Sequence, residues 1–136
     1  MMSGQSAIEM ALVLPAVVLL LVVVADFGRV FYASIAIADA ARAGVQYGAQ
    51  NYAKAADYPN IVQAALNDGT NVVGLSATAS DFCMCSGQLV SCGATQCSGQ
   101  QLFVKVTASV KFTPIIKYPG LPSIIPLSST AIMEVQ

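Results

Sequence analysis

The sequence predicts an α+β protein in which one long N-terminal helix, transmembrane in its N-terminal half, packs its C-terminal half on a small antiparallel β-sheet. Three observations predict it. The chain runs without charge from Met10 through Ala25 (MALVLPAVVLLLVVVA) and then stays Ala-rich to Ala49. Residues Gln101 to Thr113 (QLFVKVTASVKFT) alternate apolar and polar side chains, the period of a half-buried strand. The whole is 56% apolar and 10% charged with mean hydropathy +0.68, against about 25% charged in ordinary soluble domains, so a membrane or a densely packed partner is implied.

The apolar run alone spans roughly 24 Å as a helix, short of a hydrocarbon core of about 30 Å. It borrows Val30, Phe31, Tyr32, Ile35 and Ile37, while Asp26 and Arg29 pair at i,i+3 and reach toward the interface. Pro15 removes a donor inside this helix and is expected to kink or loosen it, a change that neighbours compensate in membranes. Ala36, Ala40, Gly44 and Gly48 recur every four residues and form a stripe of small side chains where another backbone or a sheet can approach. Sequence leaves open whether that stripe meets the chain's own sheet or a neighbouring subunit.

Pro59 to Asp68 reads as a short second helix, with proline in its first turn and Gly69 as stop signal. The polar turn Asn67 to Asn71 has its glycine in the wrong place for an EF-hand loop. In the Gln101 to Thr113 strand, Val104, Val106, Ala108, Val110 and Phe112 take one face, and Lys105, Thr107, Ser109 and Lys111 the other. Leu127 to Gln136 alternates similarly, with Leu127, Ala131, Met133 and Val135 expected inward, whereas Leu75 to Phe82, rich in Ala and Ser, is a poorer strand. Between the last two strands, four prolines punctuate a loop whose Ile115, Ile116, Leu121, Ile124 and Ile125 are unusually apolar for exposed backbone, so it is expected to dock on its own helix or on a neighbour.

All four cysteines fall in one window, at Cys83, Cys85, Cys92 and Cys97. In an extracytoplasmic insert an even number of clustered cysteines reads as two disulfides; the alternative, a four-thiolate zinc site, has the less common CxC spacing. Cys83 and Cys85 stand roughly 6.6 Å apart in extended backbone with parallel Cβ vectors, near the upper limit for a bridge. Each therefore bonds Cys92 or Cys97, and either crossing remains open.

Function classes narrow by composition. Net charge is −1 and the six basic residues are scattered, which leaves no electrostatic footprint for nucleic acid. With no histidine, seven dispersed acids and no phosphate-cradling glycine loop, no catalytic constellation, cofactor or metal site is expected, and the chain reads as a non-enzyme.

Glu9 carries the sharpest signal. It opens the apolar segment, where an acid costs about 2.5 to 3.5 kcal/mol at depth, and it lies five residues beyond Gly4. The pair is similar to the type IV prepilin signal, in which a membrane peptidase cuts after the glycine and leaves glutamate at the fifth mature position. Here that cut would leave Gln5 first. Glu9, Pro15, Asp26-Phe27-Gly28-Arg29 and Ala36 to Ala49 (AIADAARAGVQYGA) together resemble the TadE-like pseudopilins of the tight-adherence pilus over about the first fifty residues. The later strands and Pro-rich loop look weakly similar.

The resemblance implies a pilin-like fold with a leader over residues 1–4, a helix over 5–50 whose membrane segment covers about 8–31, and a small extracytoplasmic domain over 51–136 with its cysteine loop at 83–97. It implies the role of minor pilin or pseudopilin, processing by a prepilin peptidase, handling by the pilus assembly platform and contact with other pilus subunits. It also implies residence in the cytoplasmic membrane and then in a pilus or at the cell surface. Cleavage would expose an α-amino group that can meet Glu9 on the same helix or on the adjacent subunit, whereas the plainer role for Glu9 is to stabilise the positive helix N-terminus. The first six residues carry no Lys or Arg, so orientation rests on the resemblance. Competing readings are a secretory signal with its core at Leu12 to Val24 and a cleavage site at Val23-Val24-Ala25, an uncleaved anchor bearing a binding module, and the main repeating subunit of a filament.

Overall fold

The computed structural model describes residues 3–93, 97 and 99–136, with side chains from Ala7 onward within that set. The first two leader residues lie outside the described residues, as do residues 94–96 of the cysteine loop and residue 98 just after it. Helix α1 runs Ser3–Gly48, roughly 70 Å at 1.5 Å per residue. It continues unbroken through Pro15, so the expected loosening stays within helical geometry. Two short helices follow, α2 (Tyr52–Ala55) and α3 (Tyr58–Asp68). The α2 turn, which sequence reading passes over, is nucleated by the Asn51 side chain accepting from the Lys54 amide at 2.9 Å. Asp57 caps α3 in the same way, with proline in the first turn and Gly69 at the C-cap.

Four strands make one antiparallel sheet: β1 (Ser76–Cys85), β2 (Gln88–Val90), β3 (Gln101–Phe112) and β4 (Ile125–Glu134), in the order β2-β1-β3-β4. The Ala/Ser-rich segment expected to be a poor strand is thus the long central β1, paired along its length with β3 from Ser76↔Ser109 to Met84↔Gln101. Small side chains suit it there: Ala77 and Ala79 leave room beneath α3, and Ser76 hydrogen-bonds Ser109 across the pair. Edge strand β4 carries Pro126, tolerated where no further strand needs its missing donor.

The sheet face toward the helices is the alternating set of β3. Val104, Val106 and Ala108 are fully buried, Val110 and Phe112 nearly so. They meet Ile37, Ala40, Ala41 and Val45 of α1, and Ile61 and Ala65 of α3. On the opposite face Lys105 and Lys111 are exposed and Thr107 bonds Thr130 at 2.9 Å. On β4, Leu127 and Ala131 are half-buried against the core, and Val135 just beyond it is buried, but Met133, expected inward, stays 39% exposed. Only the C-terminal half of α1 is covered by the domain; Ile8, Leu14, Leu20 and Val24 are all at least half exposed.

Candidate membrane and assembly site

Helix α1 is long and apolar enough to cross a membrane, and its most apolar window is wholly uncovered by the rest of the chain. From Ala7 to Ala25 it rises about 28 Å, close to the hydrocarbon thickness. Burial on the protein's own core therefore does not account for these side chains. Gly4 and Gln5 lie in the first turns of this helix, backbone only being described. Glu9 is exposed on its surface just inside the apolar run.

At the other end of the run, Asp26 is 4% exposed, the buried charged residue of the described structure. A buried carboxylate is costly unless its lone pairs are filled, and here they are. The Ile115 amide donates to both oxygens at 3.0 and 3.1 Å, the Tyr118 hydroxyl donates at 3.1 Å, and Arg29 Nη1 donates at 3.0 Å. The Pro-rich loop over residues 113–124 is thus latched to the helix through a single acid. Burial and the bond to Asp26 push the Tyr118 phenol above its ordinary pKa. Arg29 also lies over the Phe112 ring, 5.1 Å from its centroid. Sequence reading pairs Asp26 with Arg29 but misses the loop's two donors. The available signal was the coincidence of one acid at the end of an apolar run with an apolar loop needing a dock.

On the helix's other side the turn after α3 comes in at the same level. Asn71 Nδ2 donates to the Tyr32 hydroxyl at 3.1 Å, and a cavity of about 570 Å³ between turn, helix and β3 is lined by Ala25, Gly28, Tyr32, Val73 and Phe112 among others. Farther along, the Tyr58 hydroxyl donates to Asp81, which, with burial, raises the Tyr58 pKa.

The small-residue stripe turns inward. Ala40, Gly44 and Gly48 are buried, and Ala36 is half-buried. A Cβ on Gly44 would stand 3.1 Å from Val106 Cγ1 and 3.2 Å from Ala65 Cβ; on Gly48 it would stand 2.8 Å from Ile61 Cδ1 and 3.0 Å from Val104 Cγ1. These residues let α1 settle on the chain's own β3 and α3.

At the far end of the sheet Cys83 is bonded to Cys92 and Cys85 to Cys97, with Cα separations of 5.2 and 6.3 Å. The two bridges clamp the β1–β2 hairpin to the loop leading into β3. Among the described residues no group of His, Cys, Asp or Glu could hold a metal ion.

The family model described as TadE-like protein matches residues 4–46, about a third of the chain and nearly the whole of α1. No curated protein and no solved structure matches. Over residues 4–46, from the glycine ahead of Glu9 into the buried stripe at Gly44, the chain is similar to the TadE-like family.

Proposed function

We propose that this chain is a minor pilin or pseudopilin of a tight-adherence type IV pilus, a structural rather than catalytic component held in the cytoplasmic membrane by α1 before assembly. The observation that carries the reading is the coincidence of the TadE-like match over residues 4–46 with the uncovered apolar half of α1. A helix surface that its own domain leaves bare is what both a bilayer and a bundle of sibling helices can cover. In this reading a prepilin peptidase cuts between Gly4 and Gln5, and the head domain over residues 51–136 lies outside the membrane, where its disulfides persist. The partners are other pilus subunits and the assembly platform.

Glu9 then has a use. Within an apolar surrounding its carboxylate needs a cation, and the α-amino group released at Gln5 supplies one, on the same helix or on the next subunit. Glu9→Gln is expected to keep fold and membrane insertion while lowering incorporation into complexes, with Glu9→Asp restoring it in part. Co-purification with pilus partners measures this; wild-type yield for Glu9→Gln would remove Glu9 from assembly.

A further inference from the structure

Leu121 of the Pro-rich loop and Val23 of the apolar run line one crevice of about 310 Å³, together with Phe27, Pro114 and Tyr118. Val23 lies three residues before Asp26, about 4.5 Å further along the axis toward the N-terminus. The loop is therefore hung from Asp26 at Ile115 and reaches beside the stretch of helix that is uncharged from Met10 to Ala25. Its apolar side chains are left largely uncovered by the protein: Ile115 is 61% exposed, Leu121 58% and Ile124 50%. A loop carrying such residues in water would be anomalous.

We infer that the segment 113–124 is an interfacial lipid anchor, in which Ile115, Ile116, Leu121 and Ile124 enter the boundary between headgroups and acyl chains of the bilayer that α1 crosses. The inference rests on the membrane-anchor part of the proposed function, but not on pilus assembly. Position decides the occupant: a side chain beside Val23 is at bilayer depth whenever Val23 is. Charge agrees with it. The chain has no Asp or Glu between Asp81 and Glu134, whereas the loop carries exposed Lys117 and is flanked by exposed Lys111, so the surface turned to the headgroups is cationic and suits anionic phospholipid phosphates. On the opposite side of the helix Val73, 95% exposed, lines the cavity that also takes in Ala25 and Gly28, so an exposed apolar side chain stands on each flank of α1. The latch at Asp26 then fixes the height and tilt at which the head domain leaves the membrane.

The chain contains no tryptophan, so single substitutions give an unmixed depth probe. The full chain, reconstituted in vesicles of zwitterionic and anionic phospholipid brominated at shallow or deep acyl positions, is compared as Leu121→Trp, Ile124→Trp, Leu19→Trp and Leu89→Trp. Leu89, exposed on β2 at the far end of the sheet, is the water reference, and Leu19 in the apolar run is the buried reference. The expected result is a blue-shifted emission and loss of intensity with shallow bromines for Leu121→Trp and Ile124→Trp, loss with deep bromines for Leu19→Trp, and no loss for Leu89→Trp. If Leu19→Trp is quenched while Leu121→Trp and Ile124→Trp behave like Leu89→Trp, the lipid anchor is overturned and the membrane helix stands. If Leu19→Trp is not quenched, both fall. Shielding of Leu121→Trp that occurs only on adding the native pilus partners assigns the loop to a subunit interface and overturns lipid contact.

Discussion

Replacing Asp26 by Asn tests the latch between helix and loop while keeping the side chain's shape. The carboxylate accepts from Ile115, Tyr118 and Arg29. A hydrogen bond to a charged group contributes about 1.5–3 kcal/mol and a neutral one about 0.5–1.5 kcal/mol, so each bond weakens by about 1 kcal/mol. The Arg29 side chain is half exposed, and its bond is discounted for solvent screening. Two bonds remain, giving about 2 kcal/mol, on the order of 30-fold in the equilibrium for releasing the loop. Native-state hydrogen exchange of the Ile115 amide in micelles or bilayer discs reads that equilibrium directly. Asp26→Asn is expected to accelerate exchange at Ile115 on the order of 30-fold, leaving amides at the centre of β3, such as Val106, unchanged. Tyr118→Phe, which deletes one donor and leaves the charge, is expected to accelerate it less than Asp26→Ala does. Unchanged protection at Ile115 in Asp26→Asn would refute the claim that this acid holds the loop.

The other consequences concern packing and the clasp. Gly48→Ala places a Cβ 2.8 Å from Ile61 Cδ1, an overpacking cost of about 1–3 kcal/mol against a helix-propensity gain of at most about 1 kcal/mol. Ile61→Val, costing about 0.5–1.5 kcal/mol alone, removes the clashing carbon, so thermal unfolding should show the pair coupled by about 1 kcal/mol rather than additive. Replacing Cys83 and Cys92 together by Ser is expected to lose about 2.7 kcal/mol of head-domain stability from a loop of about ten residues, and mass mapping of the native protein under non-reducing conditions is expected to return both crossed bridges and no alkylatable thiol.

Much of the fold was legible because it rests on periodicity. The uncharged run before Asp26 and the strict alternation of Val104, Val106, Ala108, Val110 and Phe112 each survive in the structure as a bare helix and a buried strand face. The β1 strand is hard to see because its Ala and Ser side chains have weak strand preference, and only the close-lying α3 makes small residues an advantage there. The four-residue stripe was visible, but the partner it faces depends on how the chain returns in space, which periodicity does not encode. Within its own helix Asp26 reads as half of an i,i+3 pair with Arg29. Its other donors come from residues about ninety positions away, and although each segment signals a need, neither names the other as the partner that meets it. Met133 continues the alternation of β4 yet stays 39% exposed beside its buried partner Val104, a departure that periodicity does not foresee.

The central claim, that the TadE-like helix is a processed pilus-assembly helix, is tested most directly by the intact mass and N-terminal sequence of the protein isolated from native membranes. The expected chain begins at Gln5, four residues shorter than the 136-residue sequence, and Gly4→Trp is expected to retain those four. A native chain beginning at Met1 or Met2 would make α1 a plain anchor, and one beginning at Asp26 would make it a secretory signal; either result contradicts the account.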